Sequence, residues 1–260
     1  MKPNSTILET SRAATRRTII MHKSLLFLGV ALFAVAASAA DLPRYWAVHI
    51  DTPYADAVDT FESLGKQGTA MRYDIFRKHD VPIPPLWELS TADGVYYTLR
   101  PREAVIDFDH PPKQSDEIEK EIVSTVGAID DRFHTTIRIH HNELWKLDPE
   151  LTFLPSRSAP RFLRMRSETV KVTKWTEHDA AVKRVRAACE KAGVSMMTFF
   201  SSYGTGECHY LFLSDKPIDL RAIAGDAVLA DWAASVITSR EIEAKPRNDL
   251  TVTDAKGWVS

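Results

Sequence analysis

Residues 81–99, VPIPPLWELSTADGVYYTL, have a counterpart at residues 194–212, VSMMTFFSSYGTGECHYLF. At a constant offset of 113, Val81 aligns with Val194, Ile83 with Met196, Leu86 with Phe199, Trp87 with Phe200, Tyr97 with Tyr210 and Leu99 with Phe212. Each stretch reads as a β-hairpin. In the first, Leu86–Leu89 and Val95–Arg100 flank Asp93-Gly94, a strong turn dipeptide. In the second, Met197–Ser202 and Cys208–Leu213 flank Tyr203-Gly204-Thr205-Gly206-Glu207. Farther on, Leu151-Thr152 aligns with Leu250-Thr251 at an offset of 99, so the second unit is 14 residues shorter. The chain is therefore expected to be an internal repeat.

The flanking elements extend the pattern. Tyr45–Ile50 is β-rich; Thr52 is expected to cap a helix with Pro53 in its first position, and Val58, Phe61 and Leu64 give that helix an apolar stripe. Gly65 and Gly68 are expected to interrupt it. Ile118, Ile122, Val126, Ile129, Phe133, Ile137 and Leu144 recur at spacings of 4, 4, 3, 4, 4 and 7, which predicts one long helix over about 116–146, ended by Asp148-Pro149. The order then begins again. Phe162–Thr173 is β-rich, Thr176-Glu177-His178-Asp179 resembles a capping box, and the helix it opens closes at Ala192-Gly193. A last helix is expected over roughly 226–241, burying Leu229, Trp232 and Val236.

Each unit thus reads β-α-β-β-α, with a fourth strand assigned to the tail segments. That is the ferredoxin-like plan, whose sheet covers one face with helices and needs a partner for the other. The expected fold is α+β, with tandem ferredoxin-like repeats over 44–153 and 160–252 forming an intramolecular dimeric α/β barrel. These units, each ending in a Leu-Thr segment (Asp148-Pro149-Glu150-Leu151-Thr152; Asn248-Asp249-Leu250-Thr251), resemble the dimeric α/β-barrel superfamily. Within it they resemble the NIPSNAP-like and antibiotic-biosynthesis-monooxygenase-like group. The resemblance covers about 44–252 and rests on element order and hydrophobic pattern. It implies a fold shared by cofactor-free monooxygenases, haem-degrading enzymes and isomerase-like enzymes, and so selects no chemistry.

The N-terminal segment reads as an address. Met21-His22-Lys23 precedes an apolar run, Ser24–Ala36, which ends in Ala37-Ser38-Ala39. This is the form of a secretory signal peptide over 21–39, cleaved near Ala39 and Ala40, behind a 1–20 extension that takes no part in the fold. A periplasmic or secreted protein is expected. Residues 40–260 then carry 28 basic and 34 acidic side chains, net −6, which argues against a nucleic-acid binder. No later segment is apolar enough to span a membrane. Cys189 falls on a helix and Cys208 on a strand; helix–sheet spacing keeps such a pair apart, so two buried thiols are expected, not a disulfide.

There is no Gly-x-Ser-x-Gly, His-Glu-x-x-His, Walker loop or Cys-x-x-Cys. Tyr203-Gly204-Thr205-Gly206 joins two strands and reads as a hairpin loop, not a phosphate cradle. On the predicted long helix His134 and His141 lie about 10.5 Å apart, too far to share an ion, so no metal site and no cofactor are expected. Strand alternation gives the site candidates. His49 and His209, if both pointed between the sheets, would be desolvated imidazoles fit for general-base work. Tyr97 and Tyr210 could donate phenolic hydrogen bonds, and Arg164, in a row with Arg166 and Glu168, could hold an anion.

The leading expectation is a binding protein or cofactor-independent enzyme holding a small apolar molecule in a mostly apolar pocket between two sheets, as a monomer or homodimer. A non-catalytic interaction module of the cell envelope is the alternative. Haem binding through a histidine is the third.

Overall fold

In the computed structural model the described residues are 42–82, 85–102, 115–155, 160–203 and 207–251. The expected signal peptide, the 1–20 extension and the glycines of the 203–207 loop lie outside them. The fold is mixed α+β, built on an eight-stranded antiparallel sheet. Its first half comprises β1 (Tyr45–Pro53), α1 (Val58–Lys78), β2 (Trp87–Thr91), β3 (Tyr96–Arg102), α2 (Asp116–Thr135) and β4 (Ile137–Leu147). Its second half comprises β5 (Phe162–Val170), α3 (Trp175–Ala192), β6 (Ser195–Tyr203), β7 (Cys208–Ser214), the short α4 (Leu220–Ala224), α5 (Asp226–Ala234) and β8 (Val236–Pro246). No helix among the described residues is long and apolar enough to cross a membrane.

The strands pair in the order β1-β3-β2-β8-β5-β7-β6-β4, and β4 pairs back onto β1, so the ring closes. The two halves meet at two seams, β2 against β8 and β4 against β6. Both outer ladders carry the same irregularity: the register shifts between Thr52 and Pro53 on β1 and between Thr169 and Val170 on β5. Beside it, the amide of Tyr54 donates to the carbonyl of Thr136, and that of Lys171 to the carbonyl of Ser235, each at 2.9 Å.

Several expectations give way here. Thr52 and Pro53 do not open a helix; they end β1, paired with Ile139 and Ile137, and proline is tolerated at such a bulged strand end. Gly65 and Gly68 do not interrupt α1, which runs unbroken. A Cβ on Gly65 would meet the Phe133 ring at 3.5 Å, and one on Gly68 would meet Ile129 at 3.6 Å, so these positions let α1 and α2 approach closely. The long helix stops at Thr135 and the last helix at Ala234. Each is followed by a strand, because Ile137–Leu147 and Val236–Pro246 gain full ladders against β1 and β5. Helical spacing persists by accident through Phe133 and Ile137, while from Glu143 onward every second residue, Glu143, Trp145 and Leu147, is buried on one face of a strand.

The fourth strands are thus β4 and β8, not the tails. The tails instead fasten strand ends: Thr152 Oγ1 accepts from the Thr198 amide at 3.1 Å, and Thr251 Oγ1 from the Glu88 amide at 3.0 Å. Thr176 is not an N-cap, since α3 begins at Trp175 after a turn of 3-10 helix. Gly193 closes α3 in the left-handed conformation, φ 68°, which glycine adopts without a Cβ penalty.

Buried side chains form three bodies. Inside the ring, Trp46, Val48, Trp87, Leu99, Trp145, Met165, Phe199 and Leu211 belong to one core. Outside it, α1 and α2 build a second around Tyr73, Phe76, Ile118 and Val126. A third lies between the second-half sheet and α3 and α5, around Val182, Val185, Met196, Tyr210, Phe212 and Trp232. Cys189 and Cys208 both lie in this last core as free thiols, and burial pushes each up to about 12.

Candidate functional site

Inside the ring, Trp46, Trp87, Trp145 and Phe199 are nearly inaccessible and belong to one core. Aromatic packing occupies the part of the between-sheet space where these side chains meet. A cavity lies on the outer side of the first-half sheet, under α1 and α2, with a volume of about 280 Å³. Its floor is His49 and Asp51 from β1, Glu88 from β2, Thr98 and Arg100 from β3 and His140 from β4. Its roof is Phe61, Leu64, Gly65, Gly68 and Arg72 from α1 and Asp130, Phe133 and His134 from α2.

Strand alternation decides this membership. Trp46, Val48 and Ile50 face the interior, so His49 and Asp51 face the helices. His209 shares the inward face of Leu211 and Leu213 and is buried in the ring. The two histidines are consequently on opposite faces of the sheet and do not share a chamber. Tyr97 points inward; Tyr210 points outward, into the layer beneath α3 and α5. They are not equivalent positions. The backbone bonds Arg247 N–H to Glu88 O and Asp148 N–H to Thr198 O match Glu88 with Thr198, and cross-strand pairing then matches Thr98 with Tyr210. The sequence alignment at 113 is one residue out at this strand, which exchanges the faces. Arg164 lies outside the ring, engaged with Glu243 at 2.9 Å and Glu241 at 3.9 Å, in an ion-pair row.

The cavity exists because the two outer layers are filled unequally. In the second half, Tyr210 OH meets Nε2 of His178 at 2.7 Å, while Nδ1 meets Ser235 Oγ at 3.0 Å. Trp232 Nε1 donates to Glu168 at 2.6 Å, and Arg166 to the same carboxylate at 2.7 Å. In the first half Thr98, Phe61, Phe133 and Asp51 line open space instead, Thr98 being far smaller than Tyr210.

Most of the charges that line the space are held. Asp51 Oδ1 lies 2.5 Å from His140 Nδ1, and Arg72 pairs with Asp130. Glu62 receives both Arg247 and the Tyr96 hydroxyl; Arg247 draws its carboxyl down to about 2. Thr98 Oγ1 donates to Glu88 Oε2 at 2.6 Å, yet burial dominates and pushes Glu88 up to about 8, so it is protonated near neutral pH. Burial, with Arg100, His140 and Arg102 adding, lowers His49 to about 3. A neutral His49 accepts a hydrogen bond but is too weakly basic for the general-base role expected of it. Arg100 lines the cavity and reaches solvent, and its guanidinium makes no hydrogen bond or ion pair among the described residues.

Sequence reading missed Glu88, Thr98, Arg100, Asp51 and Arg72. The signal was present: Thr98 and Arg100 alternate on one strand, and Glu88 is directly across from Thr98. No group of three or more metal-ligating side chains among the described residues could hold an ion. Haem does not fit the cavity. Small-molecule pockets run from about 300 to 1,000 Å³, this space falls just below that range, and Asp51, Glu88 and Asp130 would face a largely apolar macrocycle.

Comparison with family models finds no match, and comparison with curated proteins finds none either. Among solved structures, a monooxygenase candidate from Lactobacillus acidophilus is similar at 8% identity and TM-score 0.52, covering 78% of this chain and 94% of its own. Another from Fusobacterium nucleatum matches at 11% identity and TM-score 0.52, covering 79% and 93%. A mutant chlorite dismutase from Candidatus Nitrospira defluvii gives 8% identity and TM-score 0.46 over 84% and 98%. At these identities the first two likenesses are of fold alone, a shared mixed α+β plan.

Proposed function

We propose that this chain binds a small organic anion, a carboxylate or phenolate with a short apolar body, in the cavity under α1 and α2, and acts on it without a tightly held cofactor. The observation that carries the reading is the unequal filling of the two layers: Thr98 and Phe133 leave open in one half what Tyr210 and Trp232 close in the other. Arg100 in the cavity lining offers a positive charge, and guanidinium pairs well with planar anions. Phe61, Leu64 and Phe133 offer the apolar wall, while neutral His49 and protonated Glu88 offer an acceptor and a donor. The fold it shares with monooxygenase candidates is compatible with this reading but does not select it.

The finer reading of the fold is that the halves are tandem ferredoxin-like repeats, 44–153 and 160–252, forming an intramolecular dimeric α/β barrel of the NIPSNAP-like kind. The matched bulges and the matched Thr152 and Thr251 contacts support it. We further propose export to the periplasm or beyond, with cleavage near Ala39, tested by N-terminal sequencing of the purified protein.

Calorimetric titration with benzoate tests the site. Saturable one-to-one binding is expected, lost in Thr98→Tyr, which fills the cavity, and weakened in Arg100→Gln. If neither benzoate nor any of a panel of short aliphatic and aromatic carboxylates binds, the reading fails. A non-catalytic module that uses its outer helices as a partner surface would then be favoured.

A further inference from the structure

One polar cluster interrupts the apolar packing inside the ring. Ser167 on β5, His209 on β7 and Glu143 on β4 each share an inward face with core residues: Met165, Leu211 and Trp145. Ser167 Oγ lies 2.9 Å from His209 Nδ1. The other ring nitrogen, Nε2, is buried, lies out of line for a hydrogen bond, and sits 3.3 Å from Glu143 Oε2. Trp145 stacks on the imidazole with centroids 4.0 Å apart and planes at 15°, and its Nε1 donates to Glu143 Oε2 at 2.6 Å. His209 and Glu143 are buried, whereas Ser167 is half-buried.

The arrangement has a direction. A carboxylate beside Nε2 favours the tautomer with its proton there, which leaves the Nδ1 lone pair to accept from the Ser167 hydroxyl. Burial pushes the Glu143 carboxyl up, but the Trp145 hydrogen bond and the nearby His209 and His141 outweigh it and hold the carboxyl below its ordinary value. An ionised carboxylate and an imidazole in an apolar interior cost desolvation that an apolar pair would not. Arg240 stands directly across from Ser167 in the ladder with β8; its guanidinium reaches solvent 3.7 Å from Asp93 Oδ2, and His141 reaches solvent as well. Leu42, Leu147 and Leu154 pack at the opposite end of the ring. None of the three cluster residues lines the first-half cavity.

We propose that Ser167, His209 and Glu143 form a second site, in which a serine nucleophile with its base and orienting acid accepts the acyl group of a small activated ester entering by the Arg240 end. Ser167 Oγ attacks the carbonyl carbon as its proton passes to His209 Nδ1. The C–O bond to the alcohol breaks, and the leaving oxygen takes that proton. Water then attacks the acyl-serine, His209 accepts the water's proton and returns one to Ser167, and the carboxylic acid departs. Glu143 stays ionised throughout and stabilises the imidazolium.

An alkyl fluorophosphonate tests this on the whole chain, since it converts an activated serine to a phosphonyl ester with loss of fluoride. Intact and peptide mass spectrometry should show one adduct on Ser167, and p-nitrophenyl acetate hydrolysis should fall in step with it. Ser167→Ala should remove the adduct. His209→Gln, checked for an unchanged melting profile, should slow labelling by at least about 100-fold. Folded wild-type protein that carries no adduct on Ser167 overturns the proposal, and so does labelling at an unchanged rate in His209→Gln.

Discussion

Tyr210 donates its hydroxyl to Nε2 of His178 at 2.7 Å, and this single bond ties α3 to the outer face of β7. Ser235 Oγ donates to the Trp232 carbonyl at 2.6 Å, so its oxygen accepts from His178 Nδ1 and the Nε2 lone pair is left for tyrosine. Burial lowers His178 to about 4, which keeps it neutral and this network intact near neutral pH. Tyr210→Phe should leave Nε2 unsatisfied in a buried layer and cost about 1–3 kcal/mol, read as a lower urea midpoint with unchanged slope. A midpoint equal to that of the wild type would show the bond to be of no account.

Glu88 and the two lowered histidines push stability in opposite directions with pH. Glu88 is raised from 4.5 to about 8, so its contribution is full below pH 4.5 and is lost as pH rises toward 8. His49 and His178 are lowered from 6.5 to about 3 and about 4, so theirs is full above pH 6.5 and is lost as pH falls. Glu88→Gln, which cannot ionise, should therefore gain on the wild type steadily from pH 5 to pH 8, by an amount on the order of a few kcal/mol. Melting temperatures across that range decide it; parallel curves would mean that Glu88 does not titrate there.

These groups show how far the sequence carries. The hairpins, α1, α3 and its Gly193 cap follow from turn dipeptides, apolar stripes and glycine, and all are present. The fourth strands were hidden because Ile129, Phe133 and Ile137 keep helical spacing across the true helix end, with only Thr135-Thr136 marking the break. Tertiary pairing against β1 settled the matter. The cavity was illegible for a different reason: it depends on Thr98, not Tyr97, being the counterpart of Tyr210, and a one-residue error turns every side chain to the other face. Glu143 was hidden inside the supposed helix, and Ser167 between Arg166 and Glu168 in a charged row.

Gly127 lies within α2, and a Cβ there would meet nothing within 4 Å. Gly127→Ala should stabilise the protein by about 0.4–1 kcal/mol, because alanine loses less backbone freedom on folding. Thermal unfolding checks it, and a lowered melting temperature would mean that α2 needs the glycine for a reason the contacts do not reveal.

Cys189 and Cys208 should be silent in the native protein. Both are buried, both thiols are raised to about 12, and the thiolate is the reactive form. Titration with a thiol reagent should find none in the native fold and both in denaturant. Absence of thiol after denaturation would instead reveal a bridge and require α3 and β7 to come closer than they are.

The ring of strands has one further consequence. β2 meets β8 through only three residue pairs, Leu89 with Pro246, Ser90 with Lys245 and Thr91 with Ala244, and this seam joins the first half of one chain to its second. A barrel assembled from two separate chains would come apart on dilution, its stability tied to concentration. Here the closing strand is covalently attached to the one it closes upon. Dilution has no purchase on it, and the melting temperature should be the same at nanomolar and micromolar protein.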